Sequence, residues 1–212
     1  MISVIFDMDG TLLDTQRIYV DAWESAGREQ GIKGAGAYLP AVCGMNREGW
    51  SRYLLDRHPD IDLEKFNCAT IEYARVYGEV KFKKGARELL DYLKGRGVRI
   101  GLASGTSRPS IEEHLGELGA REYFDAIAGG SDVKRCKPAP DVFLLCAERL
   151  GVSPSDCIAF EDSENGIRSA HSAGMRVIGI ADIAPFSQEV KALMYKELND
   201  MLEAIKLFEL IL

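Results

Sequence analysis

From about residue 80 onward the chain alternates short apolar runs with helical stretches that close on glycine, and nothing else in it constrains the fold as tightly. Arg87 to Lys94 has helical periodicity and stops at Gly95 and Gly97, and Val98 to Ala103 follows as an apolar strand. Ser110 to Leu118 is helical and stops at Gly119; Phe124 to Ala128 is a short strand. Asp141 to Leu150 is a helix entered through Ala139-Pro140 and closed by Gly151. Strand Cys157–Phe160, helix Gly166–Ala173 and strand Val177–Ile180 continue the pattern, and helix, in one piece or more, fills Gln188 to Leu212. Met1 to Phe6 adds another apolar strand at the start. Strands separated by helices form βαβ units, so the spacing predicts an α/β fold with a parallel sheet covered on both faces.

Residues 14 to about 80 differ. Trp23, Tyr38, Leu39, Trp50, Tyr53, Leu54, Leu55, Ile71 and Tyr73 recur at helical spacing, with no convincing strand among them. The glycine-rich stretch Gly27 to Gly36 and the turn His58-Pro59-Asp60 divide this region into three or more helices. It lies between the first strand and the rest of the sheet and therefore reads as an insert. The predicted division is a core of residues 1–13 and 81–212, and a helical cap of residues 14–80. A helical cap beside a sheet is a common way to close a site against water.

A length of 212 residues with 46% hydrophobic content suffices for one large domain or for a domain with an insert. There is no run of eighteen apolar residues, so no membrane span is expected and a cytoplasmic protein is the default. A formal charge of −7 and the absence of a basic stripe weigh against nucleic acid as a partner. The five cysteines are scattered and form no Cys-x-x-Cys, and the three histidines are far apart, so a disulfide framework or zinc site is not expected.

The first strand ends in Phe6-Asp7-Met8-Asp9-Gly10-Thr11. Residues two apart on an extended backbone point to the same side, so Asp7 and Asp9 converge on one point, and Gly10 allows the chain to bend away. Two adjacent carboxylates repel each other unless a cation or a proton intervenes. A calcium loop begun at Asp7 would need Glu at its twelfth position, where the chain has Ile18. In an open parallel sheet, ligands bind at the carboxyl ends of the strands. There the chain carries Asp7 and Asp9, then Ser104-Gly105-Thr106, then Lys137-Pro138, then Glu161-Asp162-Ser163. Each of these alone is an ordinary turn, surface lysine or helix cap. Together at one sheet edge they read as a site.

In order and spacing, Phe6-Asp7-Met8-Asp9-Gly10-Thr11, Ala103-Ser104-Gly105, Lys137-Pro138-Ala139-Pro140-Asp141 and Phe160-Glu161-Asp162-Ser163-Glu164-Asn165-Gly166 resemble the haloacid dehalogenase-like superfamily. The resemblance covers essentially the whole chain and is to the β-phosphoglucomutase and phosphoglycolate phosphatase-like subgroup. It implies a Rossmann-like, doubly wound parallel sheet with the insert as an α-helical cap. It also implies a phosphotransferase chemistry. A carboxylate attacking a phosphate dianion is repelled by roughly 4 kcal/mol per pair of unit charges at about 4 Å and an effective dielectric near 20. Mg2+ and one lysine would offset that cost. Asp7 and Asp162 would supply carboxylate oxygens to the ion, with Glu161 as a further ligand or as a partner that holds the ligands in place. The resemblance adds the backbone carbonyl of Asp9.

The implied roles follow. Asp7 is the nucleophile that forms a phosphoaspartyl enzyme. Asp9 protonates the leaving alkoxide and then takes a proton from the attacking water. Ser104 and Gly105 hold phosphoryl oxygens, and Lys137 offsets charge on both phosphate and nucleophile. The mutase pattern has a histidine where this chain has Tyr19, and a lysine where it has Cys43 before Gly44, while Arg47 matches a cap arginine that binds a distal phosphate. Tyr19 and Arg47 are therefore the cap residues expected to meet the substrate. Two departures against one match favour a Mg2+-dependent phosphatase of a small phosphorylated metabolite, with a mutase as the alternative. A non-catalytic relative is the other class, and it is disfavoured because Asp7, Asp9, Lys137 and Asp162 are all present.

Overall fold

The computed structural model describes residues 2–45 and 47–211. Six strands form one all-parallel sheet: β1 (Ser3–Phe6), β2 (Ile100–Ala103), β3 (Ala126–Ala128), β4 (Cys157–Glu161), β5 (Arg176–Gly179) and β6 (Lys196–Glu197). Their order is β3-β2-β1-β4-β5-β6, so the direction of winding reverses between β1 and β4. A crevice opens at such a reversal, beyond the carboxyl ends of the two strands. Phe6 is level with Leu102 and with Phe160, so Asp7 leaves β1 beside Ala103 and Glu161, the last residues of β2 and β4.

The central strands β1, β2 and β4 are buried on both faces, and their alternating side chains feed two separate cores. Val4, Phe6, Ile158 and Phe160 pack with α5 (Ala86–Gly95), α6 (Arg108–Glu117) and α10 (Met201–Ile211). Ile5, Cys157 and Ala159 pack with α7 (Asp141–Leu150), α8 (Glu164–Ser172) and α9 (Gln188–Lys191). The rings of Phe6 and Phe160 stack at 4.9 Å directly beneath the reversal. This is a doubly wound α/β fold.

The insert is helical, with α1 (Gln16–Arg28), α2 (Leu39–Val42), α3 (Arg47–Arg57) and α4 (Leu63–Tyr77) around a third apolar core built on Trp23, Leu54 and Phe66. Asp62 caps α4 by accepting the Lys65 N–H at 3.0 Å. The two chain crossings into the insert run beside each other. Asp14 N donates to Lys81 O at 2.9 Å and Lys83 N to Leu12 O at 2.8 Å. No helix among the described residues is long and apolar enough to cross a membrane.

Several boundaries depart from the sequence reading. The β2 strand starts at Ile100, because the Val98 N–H turns back to Leu93 O and closes α5. The β3 strand starts at Ala126, since Arg121–Tyr123 form a 3-10 turn. Helix α6 starts at Arg108 and α8 at Glu164, each capped by the preceding serine, Ser107 or Ser163. The tail is two helices with the edge strand β6 between them; two exposed residues carry no periodicity to announce a strand. Met1 and Leu212, expected in the first strand and the last helix, lie outside the described residues.

Candidate active site

The four strand-end segments meet in the crevice. Asp7, Glu161 and Asp162 each present a carboxylate oxygen within 4.8 Å of the others. Lys137 Nζ donates to Asp7 Oδ1 and to Glu161 Oε1, both at 2.6 Å, and to the Ala103 carbonyl at 3.0 Å. The ammonium also lies 4.8 Å from the centroid of the Phe143 ring. All of this is removed from water: Lys137 is 1% exposed, Glu161 0% and Asp7 4%. The Lys137–Pro138 peptide bond is cis.

Helix α8 begins against Glu161. Its Oε2 accepts from the backbone N–H of Asp162 at 3.1 Å and of Ser163 at 3.2 Å, and from Ser163 Oγ at 3.0 Å. An anion at a helix start is favoured by the amides exposed there. A methyl group on Gly166 would overlap the Glu161 carboxylate, which is why the helix has glycine at this point. Asp162 Oδ1 accepts from Thr11 Oγ1 at 2.9 Å, and its Oδ2 from Gln16 Nε2 at 2.6 Å. Gly10, at φ +85°, lies so close to Asp162 that any side chain would collide with the carboxylate.

Asp9 is half-buried at the mouth. Its carboxylate accepts from Thr15 Oγ1 at 2.8 Å, Thr106 Oγ1 at 2.6 Å and Ser104 Oγ at 3.3 Å, and its backbone carbonyl accepts from Gln16 Nε2 at 2.9 Å. Ser104 is buried, and its Oγ also accepts the Thr106 N–H at 3.0 Å. Gly105 and Gly44 bring core and cap together, since a Cβ on Gly105 would lie 2.8 Å from Gly44 O.

Three buried carboxylates face one ammonium, and for Asp7 and Asp162 burial and the neighbouring charges together favour the protonated form. Burial raises Asp7 to about 8, with Glu161 and Asp9 adding to the shift and Lys137 opposing it. Burial also holds Asp162 well above the ordinary carboxylate range, and the Glu161 and Asp7 charges raise it further. For Lys137, burial favours the neutral amine, but the Asp7 and Glu161 carboxylates override it and keep the group above the usual lysine value. A divalent cation relieves the same surplus, and every donor here is a hard oxygen, the kind Mg2+ prefers. The residues fit that ion.

A cavity of about 500 Å³ lies between cap and core. Asp7, Asp9, Ser104, Gly105 and Asp162 line its core side, while Lys137 and Glu161 sit buried behind Asp7. Tyr19 lines the cap side, its phenol pushed up to about 12 by burial and then by the Asp9 and Glu113 charges. Arg47 lines it too, but its guanidinium is paired with Glu64 at 2.6 Å. Trp23 and Trp50, read from the sequence as residues at helical spacing, belong to the cap's apolar cluster, Trp23 buried and Trp50 partly so, and both also reach the cavity.

The haloacid dehalogenase-like hydrolase model matches residues 3–174. The chain belongs to the haloacid dehalogenase-like hydrolase family. It is 35% identical to a phosphorylated carbohydrates phosphatase of Thermotoga maritima over 184 residues, covering 85% of each chain. It is also 35% identical to the fructose-1-phosphate phosphatase YqaB of Escherichia coli over 180 residues, 84% of this chain and 95% of that protein. A crystal structure of β-phosphoglucomutase from Clostridium difficile superposes with a TM-score of 0.79 at 26% identity, covering 99% of this chain and 100% of that one. This member thus falls in the β-phosphoglucomutase-like subgroup.

Gln16, Thr15 and Cys43 also build this family member's site, and sequence reasoning assigned none of them a role in it; Thr11 and Thr106 fell inside the strand-end segments but were given no individual role. Gln16 and Asp162 are 146 positions apart, and no local periodicity links them. The one available signal was the hydroxyl-rich stretch Ser104-Gly105-Thr106-Ser107 directly after β2.

Proposed function

We propose that this hydrolase removes the phosphoryl group from a small phosphate monoester by way of Asp7, with Mg2+ as its cofactor. Asp7 and Asp162, with the Asp9 carbonyl, would hold the ion, which when bound neutralises phosphate charge. Glu161 is better suited to fixing Lys137, because both its oxygens are already engaged. Lys137 offsets the charge of Asp7 and of the incoming phosphate, and Ser104 with the Gly105 amide holds phosphoryl oxygens. An Asp7 oxygen attacks phosphorus as the ester P–O bond breaks, and Asp9 protonates the departing alkoxide. Water then attacks the phosphorus of the phosphoaspartate, passing a proton to Asp9 as the bond to the Asp7 oxygen breaks, which frees inorganic phosphate and restores the Asp7 carboxylate.

The observation that carries this reading is the convergence of Asp7 and Asp162 at the floor of one cavity, with Lys137 buried directly behind Asp7. The cap wall bears on the leaving group. Trp23, Trp50 and Phe66 make it partly apolar, and Arg47 already has a carboxylate partner. Both features favour a neutral leaving group over one with a second phosphate, and hence a phosphatase over a mutase. Residues 14–80 would move as the cap, about the paired crossings at Leu12–Asp14 and Lys81–Lys83.

Incubation with Mg2+ and a panel of sugar 1- and 6-phosphates tests the reading. Release of free phosphate is expected. Conversion of a 1-phosphate into its 6-phosphate would make the protein a mutase, and full activity in Asp7→Asn would end the mechanism.

A further inference from the structure

One side chain joins the oxygens proposed for the ion to the cap. Gln16, the first residue of α1, is buried, and its single Nε2 donates both to the Asp9 carbonyl at 2.9 Å and to Asp162 Oδ2 at 2.6 Å. Its Oε1 accepts from the Cys43 thiol at 2.7 Å. This pattern also settles the orientation of the amide: two acceptors face the NH2 end and one donor faces the oxygen. Cys43 belongs to the cap loop that precedes Gly44, and its own carbonyl accepts from Asn165 Nδ2 of α8 at 3.0 Å.

A nitrogen that reaches both oxygens lies between them, and a cation bridging the pair would need that space and those lone pairs. We propose that Gln16 competes with the divalent ion for the Asp9 carbonyl and the Asp162 carboxylate, so that metal binding requires its amide to leave and is opposed by its anchor on Cys43. The proposal rests on the metal reading of this site but assigns a residue that reading does not use.

A second feature supports it. A separate cavity of about 330 Å³ lies on the other side of Gln16 and Cys43, bounded by Pro40, Asn165 and Phe186, and it also reaches Asp162. Gln16 and Cys43 line both cavities, together with Asp162 and Ser163. Displacement of the amide toward this second space frees the oxygens without disturbing the substrate side. The cap and the ion are then linked through one side chain: whatever shifts the Cys43 loop changes how firmly Gln16 holds the oxygens.

Mg2+ binding measured by titration calorimetry without substrate is the test. Gln16→Met has nearly the same shape and cannot donate, so it is expected to bind Mg2+ about tenfold more tightly than the wild type. Cys43→Ala, which removes only the anchor, is expected to bind roughly threefold more tightly. Equal or weaker binding in both variants, with thermal unfolding unchanged, would overturn the proposal and make Gln16 a support for Asp162. Should Gln16→Met not fold, Cys43→Ala alone decides on the same criterion. Asp162→Asn separates the two layers. Its loss of Mg2+ binding leaves the metal site standing whatever the Gln16 variants do, whereas wild-type affinity in Asp162→Asn would remove the metal site and the competition together.

Discussion

Glu161 ties Lys137 to the start of α8: one carboxylate oxygen accepts from Nζ at 2.6 Å while the other accepts the N–H groups of Asp162 and Ser163. The lysine that faces Asp7 is thereby held by the strand that also delivers Asp162. Glu161→Gln keeps the shape and removes the charge that holds Lys137. We expect kcat/KM to fall about 30- to 1000-fold, in line with breaking one side of a buried charge pair. Calorimetry should show Mg2+ affinity reduced far less than in Asp162→Asn. Equal losses in the two variants would make Glu161 a ligand.

Asp7→Asn removes the nucleophile and one of the three mutually repelling carboxylates. Turnover should drop by roughly 10³-fold or more. Stability at pH 8 without metal should not fall, because Lys137 retains Glu161 and one surplus negative charge is gone. Single-turnover phosphate release and thermal unfolding measure the two effects.

The acidic cluster also gives stability a pH dependence. The Asp7 carboxyl titrates near 3.8 when unfolded and near 8 in the folded chain. Between these values the folded chain holds a proton that the unfolded chain releases, so the contribution of this group is full below about pH 3.8 and is lost as pH rises toward 8. Asp162 shifts in the same direction. Metal-free protein should therefore melt at progressively lower temperature from pH 5 to pH 8. Added Mg2+ should recover the loss, and most strongly at the alkaline end. A melting temperature that rises with pH in the presence of a chelator would contradict this.

Asn165 holds the cap loop to the core through the Cys43 carbonyl. Loss of one neutral hydrogen bond of this kind costs about 1 kcal/mol, or roughly fivefold in an equilibrium. Asn165→Ala should raise KM by about that factor and lower the unfolding midpoint by no more than about 2–4 °C. Acrylamide quenching of Trp23 and Trp50, which line the cavity under the cap, should increase in parallel.

Gly166→Ala places a methyl group on the Glu161 carboxylate. Both oxygens of that carboxylate are already engaged, one by Lys137 and the other by the start of α8. Stability should drop by about 2–3 kcal/mol. Urea unfolding gives the value, and a change below about 0.5 kcal/mol would mean that the carboxylate moves freely.

The alternation of apolar strands with glycine-closed helices, and acids at the ends of β1 and β4, were legible in the chain itself. Both are short-range signals: burial on two faces makes continuous apolar runs, and each strand end is marked by the residues next to it. The doubly wound sheet, and the meeting of Asp7 with Lys137 at its edge, came from recognising four motifs together, since no single one specifies its neighbour; the strand order itself was decided by the tertiary structure. Tertiary structure alone decided the rest. It gave Glu161 to Lys137, paired Arg47 with Glu64, turned Trp23 and Trp50 toward the cavity and placed the Gln16 amide on Asp162. These are contacts between segments far apart along the chain or across a loop. Their geometry depends on how the cap settles on the sheet, and residue spacing carries no record of that.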